Sequence, residues 1–201
     1  MRLGTKPCVW LILLFFAGAT SAARAEPKSQ LQPQDPQAAV ERLHRALEAV
    51  SDTAAGERYQ VLKAPVLETH DLDYMLQLIL RGQWDKFTPE QQEQLLARFR
   101  ELSVRDYVNH FGDMHEGRFT ITDQRPLNDQ RARVNAQLDT PKRLVEFVYT
   151  LNRDQEGWRI VSVLADGVSE LALRRSEYLR HYNAEGFEGL MHALEHEAGK
   201  N

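Results

Sequence analysis

The sequence predicts an α+β fold in which a four-stranded antiparallel sheet is covered on one face by several helices. Three observations carry this. Up to Gly112 the apolar residues recur at spacings of three and four, the repeat of a helix. Over residues 119–165 they alternate with polar residues, the repeat of a strand, and from Ser169 the helical spacing returns. A meander of alternating strands has one dry face that must be covered, and the helices are the available cover.

The chain opens with a basic start (Arg2, Lys6), an apolar run over residues 9–17, and small residues ending in Ala23-Arg24-Ala25. This is the layout of a cleavable signal peptide covering residues 1–25, and the run is well short of the roughly 20 apolar residues a membrane-spanning helix needs. Export out of the cytoplasm, with cleavage after Ala25, is therefore expected. The one cysteine, Cys8, would leave with the leader, so the exported domain must be held by its core and not by disulfides. Loss of Arg2, Lys6 and Arg24 makes the mature chain more acidic than the precursor's net charge of −4. That balance disfavours attachment to nucleic acid or to anionic membranes, despite local patches such as Arg174-Arg175. Residues 26–34, polar and rich in Pro and Gln, read as a flexible N-terminus, and residues 35–201 as a single domain.

Asp35-Pro36 is a cap followed by a first-turn proline, and Val40, Leu43, Leu47 and Val50 form the stripe of an amphipathic helix that ends before Gly56. A short helical piece over residues 57–63 is expected to stop at Pro65. Asp71 then caps a helix carrying Leu72, Met75, Leu76 and Ile79, which Gly82 ends. Thr88-Pro89-Glu90-Gln91 supplies a capping box with proline at the first position. It opens a long helix from residue 89 to about 110, with Leu95, Leu96, Phe99, Leu102, Tyr107, Val108 and, just beyond, Phe111 on its apolar positions.

The first strand begins with Phe119 and Ile121. In the second, Ala132, Val134, Ala136 and Leu138 point one way while Arg131, Arg133, Asn135, Gln137 and Asp139 point the other. Val145, Phe147, Tyr149 and Leu151 share a face of the third, and residues 158–165 form a fourth, with turns at Thr140-Pro141 and residues 154–157. Helix resumes at Ser169, breaks over residues 183–186, and ends in a short helix with Phe187, Leu190, Met191 and Leu194 on one stripe.

Little in this pattern points to catalysis. His192 and His196 lie one helical turn apart, a spacing a metal could bridge, but both fall nearly opposite the apolar stripe and should face water, so no metal site is expected. His110, Asp113, His115 and Glu116 could be imagined as an acid/base cluster, yet a polar turn between helix and strand is the commoner cause of such a group. The sequence has neither a Gly-x-Ser-x-Gly elbow nor a glycine-rich phosphate loop, so no enzyme activity and no cofactor are expected.

The aromatic residues Trp84, Phe99, Tyr107, Phe111, Phe119, Phe147, Tyr149 and Trp158 either fill a core or line a cavity, and core filling is the commoner outcome. The small side chains Ala132, Val134 and Ala136 leave volume on the dry face that helices must enter or leave to a ligand.

Three segments, LDYMLQLIL, WDKFTPEQQEQLLARFRELSVRDY and WRIVSVLADGVSELALRRSEYLRHYNAEGFEGLMHALE, resemble the MlaC, or toluene-tolerance, family of periplasmic ABC-transporter auxiliary proteins. The resemblance runs from about residue 36 to residue 195. It implies a soluble, monomeric periplasmic carrier with a lipid cavity between sheet and helices, loaded and unloaded by membrane-anchored components. It implies a lipid-binding role for Leu72, Met75, Leu76, Ile79, Trp84, Phe99, Leu102, Tyr107 and Phe111 from the helices. From the sheet it adds Phe119, Ile121, Val134, Ala136, Leu138, Val145, Phe147 and Tyr149, and from the last helix Leu171. Where phospholipid carriers of the family usually show Asn-Tyr-Arg-Ser, this chain has Leu173-Arg174-Arg175-Ser176, which looks more like the hopanoid-associated HpnM branch and implies a hopanoid as cargo, with a phospholipid as the alternative. A regulatory interaction module with a filled core, and a small hydrolase using the His110 cluster, are the competing readings.

Overall fold

The computed structural model describes residues 35–198, without the side chains of residues 196–198. The expected signal peptide (1–25) and flexible N-terminus (26–34) lie outside the described residues.

Helix α1 (Pro36–Val50) starts as its sequence requires: the Asp35 carboxylate accepts from the Gln37 amide at 3.0 Å, and Val40, Leu43, Leu47 and Val50 are all buried. Helix α2 (Arg58–Thr69) departs from expectation by running through Pro65. Proline cannot bond the carbonyl of residue 61 and costs a helix interior about 3 kcal/mol. The cost is offset on the other side, where Leu62 and Val66 are fully buried and the Thr69 hydroxyl donates to the Pro65 carbonyl at 2.7 Å. Helix α3 (Leu72–Ile79) is capped by Asp71, which accepts from the Tyr74 amide at 3.1 Å. Helix α4 (Pro89–Phe111) has the full capping box, Thr88 and Gln91 each accepting from the other's backbone amide.

Strands β1 (Arg118–Asn128), β2 (Arg131–Asp139), β3 (Leu144–Arg153) and β4 (Trp158–Ala165) form the expected antiparallel meander. The sheet nevertheless has five strands and not four. At Asp166-Gly167 the chain turns with φ of 49° and 78° and lays β5 (Val168–Ser169) beside β4, pairing Ala165 with Val168 and Leu164 with Ser169. Two consecutive positive φ values are the tight hairpin that Asp-Gly favours, so this dipeptide starts a hairpin where a simple strand end was expected. The order is β1-β2-β3-β4-β5, leaving β1 at an edge, where Pro126 is tolerated because no neighbour needs its missing N–H.

Helix α5 (Glu170–Ala198) follows at once, with the Ser169 hydroxyl accepting from the Ala172 amide at 3.3 Å. Its break is confined to Gly186, at φ 64° and ψ −145°.

The inner sheet face packs on α1, and α2 and α4 close this core with Leu62, Val66 and Val104. A second core has no sheet residues: α3, the first half of α4 and the last half of α5 bury Leu76, Ile79, Leu95, Phe99 and Leu190 together, with Phe87. Gly186 sets the direction of the helix that delivers Leu190 and Leu194 to this core, in a backbone conformation nearly closed to side chains. Gly186→Ala is therefore expected to lower stability by about 2 kcal/mol, read from urea unfolding, although no atom crowds the position.

Candidate functional site

Sheet and helices part at one end. There a pocket of about 1150 Å³ opens, above the range of roughly 300–1,000 Å³ usual for small-molecule sites. Its floor is the end of the inner face nearest the β2–β3 turn: Leu138, Val145, Phe147, Tyr149, Val163 and Ala165. Its walls are the last turns of α4 with Tyr107 and Phe111, Met114 beyond them, and the first turns of α5 with Leu173 and Arg174.

The expected lipid-binding residues fall into three groups. Tyr107, Phe111, Leu138, Val145, Phe147 and Tyr149 line this pocket. Leu72, Met75, Leu76, Ile79, Phe99 and Leu102 are buried in the helix-only core, with Trp84 and Leu171 packed at its margin. Val134 and Ala136 sit in the sheet core, and Phe119 and Ile121 border a separate hollow of about 290 Å³ beside His44. The room expected over the small residues of β2 is not there. Ala136 is 2% exposed and lies between Ile121 and Phe147 across the sheet, while the opening is at the neighbouring end of β3 and β4. Val163, Ala165, Met114 and Leu173 line it without having been singled out from the sequence.

The apolar surface is continuous because aromatic rings tile it. Tyr107 stacks on Phe111 at 5.8 Å and Phe147 on Tyr149 at 5.9 Å, with Phe111 and Phe147 6.5 Å apart. Both tyrosines have polar tips, and each tip is satisfied by a buried histidine. The Tyr149 hydroxyl shares a hydrogen bond with His44 Nε2 at 3.1 Å, and that of Tyr107 meets His70 Nε2 at 2.8 Å. For His70 the direction follows from its other nitrogen. Nδ1 lies 3.1 Å from the Val66 carbonyl, which can only accept, so Nδ1 carries the proton and Nε2 accepts from Tyr107. Burial pushes both imidazoles down from 6.5 to about 4, so both are neutral at pH 7.

A charged cluster borders the pocket on its α4–α5 side. Arg174 pairs with Asp106 of α4, with Glu170 at 3.0 Å, and with the Tyr178 hydroxyl at 3.0 Å, its guanidinium lying 5.6 Å from the Phe99 ring centre. It fastens the start of α5 to α4. Burial raises the Asp106 carboxyl above the usual range, and Arg174 opposes that shift. Glu170 and Tyr178 lie one turn to either side of Arg174 and were legible as helix neighbours; Asp106, 68 residues away, was not.

The other polar candidates do not assemble. His110 Nδ1 donates to the Asp106 carbonyl at 2.7 Å, and Asp113 is paired with Arg58 at 2.8 Å, so among the described residues no base is hydrogen-bonded to a nucleophile at His110. His192 is exposed, and the His196 side chain is outside the described residues.

The architecture defines a class: an α+β domain whose single sheet and helical cover part at one end around an apolar pocket. A family model for the MlaC protein matches residues 36–196, and the chain belongs to the MlaC family. Among solved structures, the fold is similar to that of a phospholipid-binding protein from Ralstonia solanacearum in complex with a phospholipid. The TM-score is 0.71 over 82% of this chain and 94% of that chain, at 16% identity, a likeness of fold.

Two outcomes follow from the buried polar groups. An unfolded histidine titrates near 6.5 and these two near 4, so between those values the unfolded chain binds more protons and stability falls as pH drops. The loss is about 3 kcal/mol for each histidine, complete near pH 4 and absent above about pH 7. Urea unfolding across this window should show it, and His70→Gln should remove about half of the fall. Asp106→Ala should cost about 3 kcal/mol by stranding part of the Arg174 charge, measured by the same unfolding at pH 7.

Proposed function

We propose that this protein is a periplasmic carrier that holds the acyl chains of a phospholipid in the pocket between β2–β4, α4 and α5. The observation that carries this reading is the aromatic and aliphatic floor of a pocket of about 1150 Å³ whose tyrosine hydroxyls are tied to buried histidines. Acyl chains need such a surface. Each buried methylene is worth about 0.8 kcal/mol, so a chain of about 16 carbons costs on the order of 12 kcal/mol to leave in water. A lipid does not cross an aqueous gap at a useful rate without such shelter.

Membership of the MlaC family supports a periplasmic lipid-binding carrier over an enzyme or a regulatory module. The hopanoid cargo suggested by Leu173-Arg174-Arg175-Ser176 gives way to a phospholipid, because the solved protein sharing the fold holds one. In this reading the carrier acts as a monomer and is loaded and unloaded by membrane-anchored partners. Release requires a cover that moves, and α5 suits that part: its first half is tied down chiefly by Arg174 and the buried Tyr178, while Leu173 beside the pocket stays 62% exposed.

Protein purified without detergent should yield a diacyl phospholipid on extraction and mass spectrometry; a hopanoid would restore the branch reading, and no lipid above a control periplasmic protein would remove the carrier. Two tryptophan substitutions locate the cargo. Ala165→Trp should fill the pocket, leaving delipidated stability within about 1 kcal/mol of wild type and lowering lipid content several-fold, whereas Ala136→Trp should overpack the core and cost at least about 1–3 kcal/mol. Full lipid content in the Ala165 variant would move the site elsewhere.

A further inference from the structure

The face of the sheet turned away from the pocket carries an arginine cluster whose members form no ion pair among the described residues. Arg125 on β1 is paired directly across from Arg133 on β2, and Arg131 lies two residues from Arg133 on the same face, where its Nε donates to Asn152 at 3.1 Å. None of the three makes an ion pair with a described residue. Arg125 and Arg131 are exposed; Arg133 is half-buried, and its Nε has no hydrogen-bond partner among the described residues. Carboxylates on this face include Asp123, two residues from Arg125 and across from Asn135, Glu146 across from Gln137, and Asp139 across from Arg118, and none of them pairs with the cluster among the described residues.

Like charges placed directly across a strand pair repel and destabilise it. Elsewhere on this chain, the guanidiniums of Arg100, Arg105, Arg143 and Arg159 each have a carboxylate at close range. The Arg125/Arg131/Arg133 cluster is therefore a local positive site on a chain of net charge −4. It occupies the hairpin that forms one edge of the sheet, so a partner can approach without passing the helices.

We propose that this face docks an acidic segment of a partner protein, whose carboxylates bridge Arg125, Arg131 and Arg133. Guanidinium groups in a fixed array suit carboxylates, which accept two parallel N–H bonds from one fork. The footprint is small and the protein as a whole is acidic, so an extended anionic membrane would repel the rest of the molecule while a short acidic segment would not. The docking face and the pocket lie on opposite sides of the same sheet, so a partner can hold the carrier without covering the pocket.

The test uses the full mature protein and a fluorescein-labelled octaglutamate peptide, with anisotropy read at low and at physiological salt. Wild type should bind, and R125Q/R131Q/R133Q should lose about tenfold or more in affinity, whereas R42Q/R45Q on the exposed side of α1 should change it less than about twofold. Lipid content should be unchanged in all variants, which separates this inference from the fate of the carrier reading. Should the triple variant fail to fold, R125Q alone relieves the like-charge pair, and should be at least as stable as wild type while weakening the peptide several-fold. Unchanged peptide affinity in the triple or single variant overturns the proposal. So does tighter binding to vesicles of phosphatidylglycerol and phosphatidylcholine than to the peptide, lost in the same variants, since the occupant would then be a lipid surface.

Discussion

Keeping the inner face of the sheet out of water is the constraint from which the other features follow. Val134, Ala136, Leu151 and Ile160 meet that need in the usual way, closed off with the residues of α1 and α2 into a packed core. At the far end the same face continues as Leu138, Val145, Phe147, Val163 and Ala165, but the elements above it, the end of α4 and the start of α5, stand away from it. An alternating strand makes a dry stripe along its whole length, whether or not a helix reaches all of it. A pocket is what remains when the stripe is longer than its cover.

The polar groups buried around that opening keep its floor apolar and its walls fastened. Tyrosine supplies a broad ring at the cost of a hydroxyl, and a hydroxyl facing acyl chains would lack a partner. His44 and His70 remove that difficulty by bonding the hydroxyls from behind. Their own cost is electrostatic, since each must stay neutral, and this links the integrity of the site to pH. Arg174 solves a different problem. The first half of α5 buries little apolar area, Tyr178 being its one fully buried side chain, so a paired charge does the fastening that packing does elsewhere. A buried ion pair of this kind contributes modest net stability while favouring one geometry of α5 on α4.

The sheet thus divides the described domain by polarity into a pocket side and an arginine-bearing side. The helix-only core keeps α3, α4 and α5 together as a base without sheet residues, Tyr178 of the first half of α5 included. Gly186 joins that base to the more loosely held start of α5.

Period and capping chemistry are local, and they were legible in the sequence by themselves. Asp35, Asp71 and the Thr88–Gln91 box begin their helices where the sequence places them, and the alternation of β2 and β3 correctly names the residues turned inward. The Asp166-Gly167 hairpin was also written locally, in a dipeptide whose turn preference is strong, and was hidden only by the shortness of β5. Pro65 shows the first limit: a local rule against proline in a helix yields when buried Leu62 and Val66 outweigh it. The site shows the second. Periodicity records which side of an element is dry, but not which other element dries it or whether the contact closes. Leu76 and Phe147 carry the same apolar signal, yet one is sealed among helices and the other looks into a pocket. The pairing of Arg174 with Asp106, and of His70 with Tyr107, joins residues 68 and 37 positions apart, and only the packing of whole helices on one another brings them into reach.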